Sequence, residues 1–84
     1  MKSAIELMIV RKVKELRLQS GTSMAALADH LDVNYQFISQ IEDETSSKAY
    51  NIDHVNSIAK FFKCTLLELI PQKPILTRRG VTRE

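Results

Sequence analysis

Cysteine, glycine and proline are all scarce in this sequence, and each shortage excludes a class of protein. With Cys64 as the single cysteine, no internal disulfide can form, which argues against a secreted disulfide scaffold. A reducing, cytoplasmic compartment fits this cysteine content. Two glycines and two prolines among 84 residues, with ordinary apolar and charged contents, favour one folded globular domain over a disordered chain.

Membrane-spanning runs and catalytic constellations are also missing. The N-terminus has no signal-peptide pattern, and no segment is long and apolar enough to predict a membrane span. There is no glycine-rich phosphate loop, and Cys64 lacks the partners that would activate a nucleophile. His30 and His54 do not have the spacing of metal ligands, so both are interpreted as solvated surface residues. We therefore expect a protein that is not an enzyme and that holds no metal or cofactor.

The net charge of +2 conceals an uneven distribution along the chain. Residues 1–20 hold five basic and two acidic groups, and residues 60–84 hold six basic and two acidic groups. Residues 21–59 hold one basic group, Lys48, and six acidic groups. An acidic middle flanked by basic ends bears on the choice of partner rather than on the fold.

A start signal, an apolar stripe and a stop signal predict a first helix over about residues 3–19. Ser3 and Glu6 have the spacing of a capping box, which begins a helix. Gly21 follows the helix, where glycine adopts the left-handed closing conformation at little cost. The stripe consists of Ile5, Ile9, Val13 and Leu16.

The next two predicted helices are short and are joined by a brief turn. Thr22-Ser23 offers the cap of the second helix, whose alanine-rich face lets another helix approach closely. Asn34 caps the third helix, which covers residues 34–42. Two short helices joined by a turn of about three to four residues form the helix-turn-helix arrangement.

The third helix has an apolar back and an uncharged, hydrogen-bonding front. Ile38 and Ile41 are three residues apart and share the apolar face. The front consists of Tyr35, Gln36, Ser39 and Gln40. Glutamine can pair bidentately with adenine in the major groove, and serine can pair with several bases. Taken alone, such a face fits a solvated helix surface better than a DNA-reading one, so the flanking sequence has to decide.

Two further helices complete the predicted bundle. After a polar loop, Asn51 or Asp53 begins a fourth helix that carries its own apolar stripe. A capping-box signal at Thr65-x-x-Glu68 opens a short fifth helix, which Pro71 stops. No strand alternation of any length occurs before the tail, so the sequence predicts five helices followed by a tail.

Both ends of the chain leave alternatives open. Leu7, Met8 and Val10 widen the stripe of the first helix, either as core, which we favour, or as a contact with a second chain. Residues 71–84 form a basic tail that is either a DNA-binding arm or a solvated extension. Its arginines are Arg78, Arg79 and Arg83.

Several blocks of sequence between residues 10 and 70 agree in spacing with one known family. The blocks are Val13-Lys-Glu-Leu-Arg17, Gly21-Thr-Ser, Leu27-Ala28-x-x-Leu31-x-Val33, Ile38-Ser-Gln-Ile-Glu42, Ile58-Ala-Lys-Phe-Phe and Cys64-Thr-Leu-Leu-Glu-Leu-Ile70. In them the chain resembles Cro/repressor-type helix-turn-helix domains, the XRE family of bacterial and phage regulators. The resemblance implies an all-α fold, a compact five-helix bundle of lambda-repressor-like type, over residues 1–70.

The resemblance also implies a function, namely sequence-specific binding of double-stranded DNA by a homodimeric regulator, a repressor. The third helix matches the recognition helix, which enters the major groove. The positions that usually touch base edges are Tyr35, Gln36 and Gln40, with Ser39 close by. The positions expected near the DNA backbone are Ser23, Asn34, Phe37 and Lys48. Arg17 and Glu42 match two positions that form a partly buried structural ion pair in the family.

Several positions depart from the family pattern and support a second hypothesis. Met24 replaces a glutamine that braces the recognition helix, and Asp32, Glu44 and Lys63 replace glycines of closing turns. A left-handed backbone at a glutamate or lysine costs of order 1 kcal/mol. The loop after the recognition helix is basic in the family but opens with acidic residues here. The alternative is therefore a protein-interaction or antitoxin-like module on the same scaffold, with weak DNA binding or none.

Overall fold

A computed structural model of the chain describes residues 1–75, and all regular secondary structure within them is helical. The helices are α1 (Ala4–Gln19), α2 (Met24–Leu31), α3 (Tyr35–Glu42), α4 (Ile52–Phe62) and α5 (Leu66–Leu69). The predicted all-α, five-helix fold is confirmed. None of these helices is long and apolar enough to cross a membrane. The arginines of the predicted tail, Arg78, Arg79 and Arg83, lie outside the described residues, and the domain boundary at residue 70 stays a prediction.

Short polar side chains begin the helices, as the sequence predicts. Ser3 Oγ accepts a hydrogen bond from the N–H of Glu6 at 3.2 Å, and the Glu6 carboxylate accepts one from the N–H of Ser3 at 2.9 Å. Ser23 and Asn34 cap α2 and α3 with a single hydrogen bond each, in which the side-chain oxygen accepts from the N–H three residues along. Asn51, rather than Asp53, caps α4. Each cap satisfies N–H groups that have no partner within the helix.

Left-handed residues end three of the helices. Gly21, Asp32 and Lys63 have φ angles of 72°, 60° and 57°. In each case the N–H of the next residue reaches back into the last helical turn, as for Val33 to the carbonyl of Ala28 at 3.0 Å. This is the Schellman motif, which satisfies the free carbonyl groups at a helix end.

One predicted left-handed position is wrong. The backbone at Glu44 does not have a positive φ, unlike Asp32 and Lys63. Helix α3 ends at Glu42, and its C-cap residue, Asp43, has an extended backbone with φ −77° and ψ 108°. The chain therefore leaves α3 through a different turn, and Glu44 carries no left-handed strain.

The core lies where the buried faces of all five helices meet. Its buried apolar residues are Val10, Val13, Leu27, Ala28, Ile38, Ile41, Tyr50, Val55, Ile58, Ala59 and Leu69. The buried face of α1 differs from the predicted stripe. Val10 and Arg17 are buried, whereas Ile5 and Ile9 of the stripe are half-buried. Of the residues that are predicted to extend this stripe into the core, Val10 is buried, whereas Met8 is exposed at the surface.

Candidate nucleic-acid interface

Helices α2 and α3 pack closely against each other through small and apolar side chains. Ala28 of α2 is 3 % exposed and Ile38 of α3 is fully buried. The left-handed turn at Asp32 reverses the chain, and Asn34 Oδ1 then accepts from the N–H of Phe37 at 2.9 Å to begin α3. The turn and the cap together fix the direction in which α3 leaves the motif.

The two faces of α3 differ as the sequence predicts. Ile38 and Ile41 are fully buried, so the helix is anchored along its back. Tyr35, Gln36 and Gln40 are exposed on the front. Within the described part of the chain, these three side chains make no hydrogen bond. Their donors and acceptors are therefore available to a ligand outside the protein.

Other predicted contact residues have structural tasks as well. Ser39 is half-buried, and its carbonyl accepts from the N–H of Asp43 at 3.1 Å. Phe37 is half-buried, with its ring edge-on to His54 at a centroid distance of 5.4 Å. Asn34 is exposed, although its side-chain oxygen is engaged in the cap. The predicted DNA contacts of these residues stay predictions.

The interpretation of His54 as a solvated histidine is wrong. Its Nδ1 accepts from the N–H of Asn51 at 3.2 Å, while Asn51 Oδ1 accepts from the N–H of His54 at 2.7 Å. The Asn-x-x-His spacing is that of a capping box with histidine in place of the usual acidic residue, which is the sequence signal that was missed. His30 is exposed, as predicted, but its ring lies 4.7 Å from that of Phe61. Among residues 1–75 no cluster of metal-ligating side chains is present.

The N-terminus of α2 lies at the surface beside the motif. Ser23 is exposed, and its hydroxyl accepts from the N–H of Ala26 at 3.0 Å. The N–H groups of Met24 and Ala25, in the first turn, have no partner within the helix. A helix N-terminus with free N–H groups favours an anion such as a phosphate. Met24 itself packs against the core, so it braces α2 by contact and not by hydrogen bonding.

Arg17 and Glu42 form the ion pair that the resemblance implies. Arg17 Nε donates to Glu42 Oε2 at 2.7 Å, and Nη2 donates to Oε1 at 2.9 Å. The remaining guanidinium nitrogen, Nη1, donates to the carbonyl of Thr22 at 3.0 Å. The hydrogen bonds that Arg17 donates to Glu42, together with the charge of that carboxylate, raise the pKa of Arg17 against the opposing effect of burial. This pair ties the C-terminal end of α3 to α1.

The acidic run that opens the loop after α3 is matched by basic residues of the N-terminal segment. Glu42 pairs with Arg17, and the Glu44 carboxylate accepts two hydrogen bonds from Arg11, each at 2.9 Å. The Arg11 guanidinium holds the pKa of the Glu44 carboxyl below its ordinary value. The run therefore presents much less free negative charge than the sequence suggests.

Lys2 is the residue in this region that sequence reasoning missed. It is 7 % exposed and its ammonium group lies against the loop after α3. It precedes α1 and is 41 positions along the sequence from its nearest partner, Asp43, so no local sequence pattern predicts the contact. Lys48, the predicted phosphate ligand of the same loop, is exposed.

The chain matches a known protein family. The model of a family described as helix-turn-helix, HTH_3, matches residues 13–69. These residues include both helices of the motif and all the blocks that the sequence shares with the XRE family, apart from the last residue, Ile70. No curated protein matches the sequence.

Solved structures that are similar to this chain include the following three. A mutant of the restriction-modification controller protein C.Esp1396I is 26 % identical, with a TM-score of 0.64 over 77 % of this chain and 80 % of that one. A transcriptional regulator from Listeria innocua is 13 % identical, with a TM-score of 0.67 over 93 % of this chain and 67 % of that one. The structure of FeII HppE is 17 % identical, with a TM-score of 0.67 over 93 % of this chain but only 41 % of that one. The last two likenesses concern the fold alone.

Proposed function

The chain belongs to this helix-turn-helix family, and on that premise we propose that it is a transcriptional regulator that binds double-stranded DNA sequence-specifically. The observation that carries the proposal is the front of α3, where three uncharged polar side chains stand exposed on a helix anchored from behind. A face of this kind suits the major groove, where bases are distinguished by their hydrogen-bonding edges.

The proposed DNA contacts are of two kinds: contacts to bases, which read the sequence, and contacts to the backbone, which orient the protein. Gln36 and Gln40 have both donors and acceptors and read base edges, together with Tyr35. Ser39 lies at the side of the same face and approaches the bases nearby. The contacts to phosphate and sugar are made by Ser23, Asn34, Phe37 and Lys48.

The regulator acts as a homodimer in the cytoplasm. A single recognition helix reads only a few base pairs, so a second copy supplies the matching half-site. Two such half-sites lie about 34 Å apart, one helical turn of DNA. Binding of the dimer to two such half-sites, which together form an operator, blocks transcription. The proposed activity is therefore that of a repressor with no catalytic role.

The acidic middle of the chain favours the alternative, a protein-interaction or antitoxin-like module that faces a basic partner. The geometry weakens that argument, since Arg17 and Arg11 already pair with Glu42 and Glu44. Weak binding to all DNA sequences in the test below would favour this alternative.

Selection of bound duplexes from a random pool, followed by a salt titration on the winning sequence, tests the proposal. A regulator enriches a two-fold symmetric sequence and prefers it over random DNA by about 10³-fold or more. Its affinity falls steeply as salt rises, because each phosphate contact releases counterions. Flat, roughly millimolar binding to all sequences would remove the DNA hypothesis, since even non-specific DNA binding is usually tighter than this.

A further inference from the structure

A side chain from the beginning of the sequence binds the turn that directly follows α3. Lys2 Nζ donates to the carbonyl oxygen of Asp43 at 2.7 Å and to that of Ser46 at 2.8 Å. Asp43 is the C-cap residue that follows Glu42, and α3 has no basic residue in its own last turn. A cation near the last carbonyl groups stabilises a helix end. Lys2 supplies that cation from outside the helix.

Burial shows that this contact is more than a surface encounter. Lys2 is 7 % exposed, and lysine is almost never buried to this extent without a partner. Its ammonium group has three donors, and two of them point at backbone carbonyl oxygens. Such charge-assisted hydrogen bonds are stronger than neutral ones. They fix the position of the loop against the beginning of the chain.

The two carbonyl groups belong to one tight turn that leads directly to Lys48. The carbonyl of Asp43 also accepts from the N–H of Ser46 at 2.9 Å, which closes the turn. The Asp43 carboxylate accepts from the N–H of Thr45 at 3.0 Å. Ser46 Oγ in turn accepts from the N–H of Lys48 at 3.1 Å. The ammonium group of Lys2 is thus connected through Ser46 to the backbone of Lys48.

We infer that Lys2 is a positioning residue for DNA binding: it locks the turn after α3 and so holds Lys48 where it meets phosphate. This inference rests on the proposed function. Lys2 is assigned no DNA contact of its own, because it is buried and directs two of its three donors at the turn. Lys2 affects the affinity for DNA indirectly, by holding the loop in place. Lys48 is the residue through which it acts, because Lys48 is the cationic residue of that loop.

A double-mutant cycle on the full chain tests this route. The variants are Lys2→Met, which keeps the length of the side chain but removes its charge and donors, Lys48→Ala, and the double variant. Binding is measured on the sequence selected by the parent protein. If Lys2 acts through Lys48, the loss of affinity on Lys48→Ala is smaller in the Lys2→Met background by at least about threefold. Independent losses that multiply would overturn the inference.

Lys14→Met provides the matched control. Lys14 is exposed on α1 and its charge acts on Glu44, but in residues 1–75 its side chain makes no hydrogen bond to the turn. Its replacement therefore changes the net charge by the same amount, near the loop, while the hydrogen bonds of the turn stay in place. The cycle of Lys14→Met with Lys48→Ala should be multiplicative. Equal coupling in both cycles would show a general charge effect and would contradict the positioning role. Lys2→Arg, which keeps both charge and donors, should recover most of the lost affinity.

Amide hydrogen exchange on the free proteins separates the inference from the proposed function. In Lys2→Met, the amides of Ser46 and Lys48 should exchange at least about tenfold faster, while those of α2 and α4 keep their protection. Unchanged exchange in the turn would overturn the inference even where DNA binding is confirmed. A parent protein that selects no sequence would overturn the proposed function, although the exchange data would still show whether Lys2 holds the turn.

Discussion

Arg17 on α1 and Glu42 on α3 form a bidentate ion pair with side chains only 8 % and 3 % exposed. The pair lies at the C-terminal end of α3, and Arg17 also donates to the carbonyl of Thr22. Each of the three guanidinium nitrogens therefore donates to an acceptor within the protein. The pair joins α1 to α3 inside the protein, which is the structural role that the resemblance to the family implies.

We expect Glu42→Ala to destabilise the fold rather than to remove a DNA contact. Removal of one partner leaves the Arg17 guanidinium buried without its counter-charge, which costs about 3–5 kcal/mol. Urea denaturation of the parent and the variant measures this difference in the free energy of unfolding.

Glu44→Ala is the matched control for that experiment. Glu44 also pairs bidentately with an arginine, Arg11, but both side chains are about half exposed or more. Water screens this pair, so its loss should change the free energy of unfolding far less. Equal losses for the two variants, or an unchanged midpoint for Glu42→Ala, would contradict the structural role of the buried pair.

Gln36→Ala should weaken binding to the selected sequence and relax one base position. Gln36 is exposed on the front of α3, and a bidentate glutamine contact is worth about 1–3 kcal/mol of discrimination. The affinity for the selected duplex and for its single-base variants measures both effects. Gln19→Ala, an exposed glutamine at the end of α1, is the control and should bind as the parent does. An unchanged base preference in Gln36→Ala would show that α3 is not the reading helix as assigned.

Tyr50→Phe should leave the protein as stable as the parent or slightly more stable at neutral pH. Tyr50 is 7 % exposed, and its hydroxyl has no hydrogen-bond partner in the described part of the chain. A buried hydroxyl without a partner carries a desolvation cost of about 1–3 kcal/mol, which phenylalanine does not. Urea denaturation near neutral pH measures the difference. A large loss of stability would reveal a partner for this hydroxyl.

The same residue makes stability depend on alkaline pH. Burial, followed by the charge of Glu42, raises the pKa of Tyr50 well above its ordinary value of 10.0. The folded protein therefore keeps the phenol proton at pH values where the unfolded chain has lost it. Titration of this group leaves the free energy of unfolding unchanged below about pH 10 and lowers it as the pH rises above that value. The parent should lose up to about 1.4 kcal/mol per pH unit relative to Tyr50→Phe in that range. Parallel pH profiles for the two proteins would contradict the raised pKa.

Sequence reasoning locates the helices because their start and stop signals span only three or four residues. Ser3 with Glu6, and Asn34 at the head of α3, are local patterns whose hydrogen bonds recur in the structure. The spacing of Ile38 and Ile41 likewise gives the buried face of α3 correctly. Such signals depend on backbone geometry that neighbouring residues fix by themselves.

Contacts between distant parts of the chain are not announced in this way. The ammonium group of Lys2 meets residues 41 and 44 positions away, and Arg11 meets Glu44 across 33 positions. Both contacts depend on how α1 lies against the loop after α3, which no local pattern encodes. The charge map of the sequence therefore overstated the acidity of the middle region, because the compensating cations are near in space and far in sequence.

Lys63→Gly should stabilise the protein, because Lys63 ends α4 in the left-handed region with φ 57°. A residue with a Cβ atom is strained there, and glycine relieves this by about 0.5–1 kcal/mol after its own entropic cost. Lys63→Ala controls for loss of the side chain, since it keeps the Cβ atom and should gain nothing. Glu44→Gly should also gain nothing, because Glu44 has no positive φ. Thermal melts of the three variants decide the matter: a rise in Tm confined to Lys63→Gly supports backbone strain at the end of α4, whereas an equal rise in Lys63→Ala would assign the gain to the lost side chain.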